Sequence, residues 1–325
     1  MKQLVFEQRN ARVWQSLEAT LEDLESSKRQ DISEAGLKSF VADYKQVCSL
    51  YSLAKTRQYS PVLLARLHSL VMRGHHFLYA SRSLNPWYFI QFLLVDFPVT
   101  LRAHAGLFWL STLLMYVPFF TIGVICYFNP EFVYSLISES DVVMMEMMYG
   151  PGTEALGRLS GQGTDFKMFG FYIQNNIGIG FRTFAGGLLA GTFTVFSLVF
   201  NGSYFGAVAG HLTQLGYTEN FWTFVSGHSS FELTAICISG AAGLRLALAL
   251  FAPGRNSRIE ALRLAARPAF ILIMGAAAML VAAAFVEAFW SSIRSLAPEV
   301  KYMVAGFLWV CVVLYLLLAG RSRAN

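Results

Sequence analysis

The sequence contains few charged residues. Asp, Glu, Lys and Arg make up 14% of its 325 residues, whereas a typical soluble domain has about 25%. Hydrophobic residues make up 55%, and the mean hydropathy is +0.48. So few charges could not cover the apolar surface of a soluble protein of this length. The composition therefore argues against a secreted, disordered or fibrous protein and indicates an integral membrane protein.

Several sequence motifs are also missing. The four cysteines form no C-x-x-C pair, so neither a disulfide framework nor a thiolate zinc site is predicted. The chain contains no Walker A and no G-x-S-x-G motif, so it is not expected to hydrolyse ATP itself. Its opening has no apolar run, so no cleavable signal peptide is expected. No cofactor is predicted, and the modest net charge of +5 gives no reason to expect a nucleic-acid partner.

The polar residues that are present concentrate near the N-terminus. Nearly half of the charged residues lie in the first 104 positions. Trp14 and Leu17 share a helical face with charged residues between them, and this spacing predicts helices. We therefore expect residues 1–84 to form a cytoplasmic helical bundle. Residues 85–104 mix aromatic with charged side chains, and we expect an interfacial helix that lies on the membrane.

The long apolar stretches predict an all-α, polytopic transmembrane domain over residues 105–325. A spanning helix needs about 20 mostly apolar residues. The stretch 176–218 is too long for one span, and Asn201-Gly202-Ser203 inside it is typical of a turn. We therefore expect about six transmembrane helices, one of them, 202–217, short enough to be re-entrant. The expected spans are 105–128, 178–200, 202–217, 230–251, 268–290 and 302–320.

Charge in the loops predicts the orientation in the membrane. The loop 252–267 carries four arginines and one glutamate, whereas the loop 129–175 is acidic. Because cytoplasmic loops are enriched in Lys and Arg, we expect the first loop inside and the second outside. An odd number of crossings must separate these loops, and three crossings give six spans with both termini in the cytoplasm. If 202–217 only dips into the membrane, five spans remain and the C-terminus lies outside.

A few polar residues fall inside the expected spans, where charges are costly and indicate function. His228 and Glu232 stand four residues apart, on one face of a helix, and Glu287 interrupts the fifth span. The candidate ligand- or ion-binding residues are His228, Glu232, Glu287, His211, Arg182, Asn176 and Asn201.

Two interpretations of these residues remain open. They could bind a cation, relay a proton or hold a polar headgroup. Alternatively, they could brace the helices through hydrogen bonds, with Glu287 either protonated or paired to Arg182 or Arg245. The H-x-x-x-E spacing differs from H-E-x-x-H and no third close ligand is evident. Neither a catalytic residue nor a metal site is therefore predicted.

Pairs of small residues four positions apart, such as Gly206 and Gly210, are a separate signal. Such pairs let transmembrane helices approach closely. They favour tight packing within the chain, and they would also allow a homo-oligomer.

The residues resemble a known family, the stage II sporulation protein M family of multi-spanning prokaryotic membrane proteins. The most specific part is GHSSFELTAICISGAAGLRL, which is similar to the family's pattern of His, Glu-Leu and a small-residue run ending in Gly-Leu. Ser229 departs from that pattern, since the family commonly has Gly after the His. Further stretches that carry the resemblance are FEQRNARVWQSLE, LARLHSLVMRGHHFLY, WYFIQFLLVDFPVTLRAH, NNIGIGFRTFAGGLLAGT, NGSYFGAVAG and VEAF.

The resemblance implies a location in the prokaryotic cytoplasmic (inner) membrane and a role for His228 and Glu232. The member that gave the family its name acts with cell-wall hydrolases and is regarded as their membrane anchor. Other members resemble proteins encoded beside a MoxR-type ATPase and an RDD-type membrane protein. The resemblance thus implies the lipid bilayer and these proteins as partners.

Three functions follow as expectations. The first is a non-enzymatic membrane scaffold or anchor that recruits cell-envelope partners. The second is a transporter, channel or lipid-handling protein that uses the polar cluster of His228, Glu232 and Glu287. The third is an intramembrane metalloenzyme, for which the residues give less support, so a non-enzymatic role is favoured.

Overall fold

The computed structural model describes residues 3–26, 34–79, 86–153, 155–159 and 163–321. Within these ranges the chain is helical and contains no strand, as the composition predicts. The helices are α1 (Gln3–Ser26), α2 (Glu34–Thr56), α3 (Pro61–Tyr79), α4 (Pro86–Gln91), α5 (Phe97–Ala103), α6 (Ala105–Phe128), α7 (Glu139–Tyr149), α8 (Asp165–Ala185), α9 (Thr192–Gln214), α10 (Thr218–Phe251), α11 (Arg258–Val286) and α12 (Pro298–Leu318). The chain divides into two compact units, Met1–Asn85 and Pro86–Asn325.

The first unit is a three-helix arrangement, α1 to α3, with a hydrophobic core of its own. Leu17 and Leu21 of α1 and Leu67 of α3 are fully buried in that core. Two surface ion pairs, both with Arg on α3 and Glu on α1, join these helices, and Arg73–Glu25 closes at 2.8 Å. The hydrogen bond from Arg73 lowers the pKa of Glu25.

The second unit contains the helices that are long and apolar enough to cross a membrane. Within the described ranges five segments meet that condition: Ala105–Phe128, Thr192–Gln214, Thr218–Phe251, Arg258–Ser291 and Pro298–Leu318. The chain is therefore a polytopic, all-α membrane protein. Helix α8 packs among these segments, against α9, α10 and α11, but it is too polar to be counted with them.

The break predicted at Asn201-Gly202-Ser203 is wrong, and the spans 178–200 and 202–217 change with it. The chain is helical from Thr192 to Gln214, and the Asn201 amide donates to the Ser197 carbonyl at 2.7 Å within that helix. The break instead lies at residues 186–191, where a 3₁₀ turn precedes Gly191 with φ of 76°. Glycine favours this left-handed backbone, so Gly191 is the better turn signal.

The interval 129–175 is also more structured than an external loop. It holds a 3₁₀ turn at Pro130–Ser135, helix α7 and the first half of α8. The Ser138 and Thr164 hydroxyls accept hydrogen bonds from the backbone N–H three residues on and begin these two helices. Such N-caps begin helices without an apolar run, which is why hydropathy did not predict them.

Helices α6 and α9 run parallel and in close contact, because glycines of α9 lie against the backbone of α6. A Cβ atom at Gly202 would meet the Met115 carbonyl, and one at Gly206 would meet the Phe119 carbonyl. Gly210 continues the row. The small-residue pattern thus serves packing within this chain.

The segment predicted as one interfacial helix over 85–104 is divided. A π-helical turn, Phe92–Asp96, separates α4 from α5, and Pro98 lies in the first turn of α5. Proline cannot donate a backbone hydrogen bond, which disrupts the helix at this point. The Arg102 guanidinium donates to the carbonyls of Leu316 and Ala319 at the end of α12, so this segment is fixed to the last helix.

Candidate functional site

Three ionisable side chains predicted from the sequence meet between α10 and α11. These helices are antiparallel, joined by a short loop at 252–257. His228 and Glu232 project from one face of α10, with His228 Nε2 and Glu232 Oε2 3.6 Å apart. Glu287 reaches them from the end of α11, so that one ligand atom of each residue lies within 4.8 Å of the others. We call these three residues the polar cluster.

The backbone at Glu287 explains how that side chain turns toward α10. Helix α11 ends at Val286 and continues as a π-helical turn, Glu287–Ser291. Single π-helical turns occur mostly inside α-helices and are frequent at functional sites. The wider turn directs Glu287 and Ser291 to the same side, and the Ser291 hydroxyl lies 3.1 Å from His228 Nδ1.

Glu287 is held by an amide from a third helix. The Asn176 Nδ2 of α8 donates to Glu287 Oε2 at 3.4 Å, and Asn175 donates to the Asn176 side-chain oxygen at 3.1 Å. The carboxylate of Glu232, by contrast, accepts no hydrogen bond within the described part of the chain, and His228 Nε2 lies 3.6 Å from its Oε2. The polar cluster is therefore only partly satisfied.

The cations near the polar cluster are engaged elsewhere. Lys301 is 1% exposed, and its Nζ donates to the Ser291 carbonyl at 2.9 Å. Arg158 pairs with Asp165 at 2.7 Å and donates to the Ala288 carbonyl at 3.0 Å. Among the described residues no lysine or arginine forms an ion pair with Glu232 or Glu287, and the predicted pairing of Glu287 with Arg182 or Arg245 is not seen.

A cavity of about 570 Å³ reaches the polar cluster. His228, Glu232 and Glu287 all line it, together with tyrosines and phenylalanines. Phe120 and Phe171 line it too, and these rings are 62% and 57% exposed. The cavity therefore extends from the acidic side chains in the helix bundle to the side surface of the protein.

The end of helix α7 covers one end of this cavity. The Tyr149 carbonyl accepts a hydrogen bond from Asn220 at 2.8 Å, and the Tyr149 ring packs on Phe221 and Phe224. Phe224 in turn lies edge-on against the His228 ring, with centroids 5.1 Å apart. Access to the polar cluster is thus restricted from this end and left open at the side.

The other residues predicted to bind a ligand lie apart, except Asn176. His211 pairs with Glu146 at 2.8 Å, between α9 and α7. Arg182 and Asn201 line a second cavity, of about 420 Å³, between α8 and α9. The seven candidates therefore form one cluster of four and two separate sites.

Sequence reasoning missed Ser291 and Lys301. Ser291 stands four residues after Glu287, which is a usable signal once Glu287 is suspected. Lys301 lies at the start of an apolar span, where a lysine normally extends to the membrane surface, so nothing in the sequence indicates its burial.

The arrangement can hold one positive charge or share a proton. Two carboxylates and an imidazole face one point, they are screened from bulk water, and no described side chain neutralises them. Buried acids without a partner are costly, so either a proton or a bound cation has to compensate for them.

Comparison with known proteins gives two family matches. The sequence model of Stage II sporulation protein M matches residues 104–292, and that of a Domain of unknown function (DUF8413) matches residues 4–80. The first match contains the whole polar cluster. No curated protein and no solved structure gave a significant match.

Proposed function

Because the chain belongs to the stage II sporulation protein M family, we propose that it is a multi-pass protein of the prokaryotic cytoplasmic membrane whose polar cluster binds a positively charged ligand. The ligand enters from the side cavity, within the depth of the bilayer. This assigns the protein to the transporters, channels and lipid-handling proteins, and it gives His228, Glu232 and Glu287 a binding role.

One observation carries this proposal: the Glu232 carboxylate faces the cavity and accepts no hydrogen bond from the described residues. If these side chains only held the helices together, they would be shielded from water and each polar atom would have a hydrogen-bond partner, since unsatisfied buried groups destabilise the folded state. A binding site keeps some ligand atoms free. The lining of aromatic rings with a few convergent polar groups is typical of ligand pockets.

Thiol labelling inside the cavity tests the proposal. Ser229 lines the cavity, whereas the next residue, Ser230, is fully buried and does not. We expect Ser229→Cys, in a chain whose four native cysteines are changed to alanine, to react faster with a cationic methanethiosulfonate than with an anionic one of similar size. The acidic side chains attract the cation, so the preference should fall at least several-fold in Glu232→Gln with Glu287→Gln.

Ser230→Cys is the matched control and should react with neither reagent. A Ser229→Cys side chain that stays unreactive in membranes would refute an accessible site. Equal rates for both reagents would refute a preference for positive charge.

We also propose that α8 is the sixth crossing, which keeps both termini in the cytoplasm. Helices α6 and α9 run parallel, so the chain has to return across the membrane between them. Helix α8 makes that return antiparallel to α9, with the Thr183 and Ser197 hydroxyls 2.6 Å apart. The arginine-rich loop 252–267 then falls inside, in accord with the positive-inside rule.

The first unit supports a second function, that of a membrane scaffold. Residues 4–80 match a family model of their own and have their own core, so this unit offers a surface for a cytosolic partner. A MoxR-type ATPase and an RDD-type membrane protein are the partners that the family resemblance implies for this unit, whereas cell-wall hydrolases would be recruited on the outer side, through the interval 129–175. We expect a cytosolic partner to co-purify with the Glu232→Gln variant and not with a chain that lacks residues 1–85. If Glu232→Gln alone abolished co-purification, the binding role of the polar cluster and the scaffold role of the first unit would not be separate.

A further inference from the structure

We propose that the polar cluster is a binding site for one divalent transition-metal ion, of which Zn²⁺ is the type, with His228, Glu232 and Glu287 as its three protein ligands. This inference rests on the proposed function and names the ligand. It requires the third ligand that the H-x-x-x-E spacing did not reveal, because that ligand comes from another helix.

The geometry is close to that of a three-ligand site. Tetrahedral Zn²⁺ has bonds of about 2.0–2.1 Å, which places its ligand atoms about 3.3 Å apart. The His228 Nε2 to Glu232 Oε2 distance is 3.6 Å, and all three ligand atoms lie within 4.8 Å of one another. The widest pair then has to close by about 1.5 Å, which a rotation about the broad terminal torsion of a glutamate can provide.

The charges of the polar cluster also match those of a divalent cation. Two carboxylates carry a charge of −2, which one divalent ion neutralises, and no described lysine or arginine pairs with them. Arg158 and Lys301 donate instead to backbone carbonyls of the π-helical turn. They fix the position of Glu287 and Ser291 without occupying the place of the metal.

The ligand types favour a transition metal over the hard cations. Mg²⁺ and Ca²⁺ take oxygen ligands, whereas an imidazole nitrogen suits Zn²⁺, iron and other transition metals. Metal-binding histidines usually donate the other ring N–H to an acceptor. Ser291 provides that acceptor, with its Oγ 3.1 Å from His228 Nδ1, and leaves Nε2 for the metal. All three side chains line the cavity, so a further ligand could reach an ion held between them.

Metal titration of the purified full chain tests the inference. After chelation and transfer to metal-free detergent buffer, the wild-type protein should bind one Zn²⁺ per chain, measured by elemental analysis after desalting. Co²⁺ should give visible absorption bands that Zn²⁺ abolishes and Ca²⁺ or Mg²⁺ does not. His228→Ala, Glu232→Gln and Glu287→Gln should each weaken Zn²⁺ binding by at least tenfold.

The chain offers a matched control in a second His–Glu pair. His211 and Glu146 lie 2.8 Å apart but have no third ligand residue within the described ranges, so His211→Ala should bind Zn²⁺ as the wild type does. Ser291→Ala removes only the hydrogen-bond acceptor that orients His228 and keeps all three ligand side chains. It should weaken Zn²⁺ binding by about 10–100-fold, and the chain should still bind one Zn²⁺. If the ligand variants fail to fold, this variant still tests the site.

Two results would overturn the inference. One is a wild-type chain that holds no stoichiometric metal after exposure to Zn²⁺. The other is binding that is lost in His211→Ala and kept in the three ligand variants. If either occurs while Ser229→Cys keeps its preference for the cationic reagent, the proposed function survives and only the metal is excluded. If that preference is also absent, both fail.

Discussion

Lys301 shows how single polar residues shape this site. It is 1% exposed at the start of the last helix, and its ammonium group donates to the Ser291 carbonyl at 2.9 Å. In the π-helical turn this carbonyl lacks the regular hydrogen bond of an α-helix, and a buried carbonyl needs a hydrogen-bond donor. The lysine therefore stabilises the turn that presents Glu287 and Ser291.

We predict that Lys301→Met lowers stability. It keeps the apolar stem and removes the donor, and an unsatisfied buried group costs about 1–3 kcal/mol. The midpoint of thermal unfolding, measured by circular dichroism in detergent, should fall by several degrees. Met303→Leu, at a residue that is 67% exposed, should leave the midpoint unchanged. Equal midpoints for wild type and Lys301→Met would contradict this role.

The sequence predicted which ionisable side chains come together but not their surroundings. Glu232 and Glu287 could be found because a charge within an apolar run is rare. His228 faces Ser291 because of the π-helical turn, and no pattern in the sequence predicts that turn. Which amide bonds to Glu287 depends in the same way on how α8 packs.

At the scale of helices, the contact between α6 and α9 depends on glycine. Gly206 lies directly on the Phe119 carbonyl, so an added methyl group would meet backbone, which cannot move aside. We predict that Gly206→Ala lowers the thermal midpoint by several degrees. Gly306 of α12 has open space at the Cβ position, and Gly306→Ala is the matched control that should not lower it. A loss of stability at both positions would show only a general intolerance of alanine.

The same helices explain why the predicted spans were misplaced. Asn201-Gly202-Ser203 reads as a turn when composition alone is considered. In the fold Gly202 is required by the approach of α6, and Asn201 bonds to its own helix. A glycine that permits packing and one that permits a turn look alike in a single sequence, and only the partner helix distinguishes them.

The topology proposal makes a prediction at this scale. Single cysteines at the exposed positions Ser138, Leu189 and Asn256 can be labelled in intact cells in a background without native cysteines. We expect an impermeant thiol reagent to label Ser138→Cys from outside, and Leu189→Cys and Asn256→Cys only after the membrane is opened. Labelling of Leu189→Cys from outside would mean that α8 does not cross.

At the scale of the whole molecule, the chain consists of two compact units, and the first has a core of its own. We predict that residues 1–85 fold when expressed alone, with helical circular dichroism and a cooperative urea transition. Leu17 is fully buried, so Leu17→Ala should reduce the free energy of unfolding by about 2–5 kcal/mol. Leu4→Ala, at a position that is 72% exposed, should have little effect. A featureless urea titration would show that this unit depends on the rest of the chain.

The class of the whole molecule was the easiest part to predict, since scarce charge and long apolar runs require a bilayer. The arrangement of the helices was not predictable, because parallel and antiparallel neighbours have the same hydropathy. The cavity is likewise a property of the assembled bundle: its lining comes from helices α6 to α10, from Glu287 in the π-helical turn, and from α12.

The thermal stability of Glu232→Gln in metal-free detergent distinguishes a ligand site from a brace, because the two roles predict different changes in the thermal midpoint. Without a ligand, two facing carboxylates destabilise the fold, so neutralising one should leave the thermal midpoint unchanged or raise it, as substitutions in functional sites often do. If Glu232 instead braces the helices, the midpoint should fall by several degrees. We predict no fall; a clear fall with chelator present would contradict a binding role for this cluster.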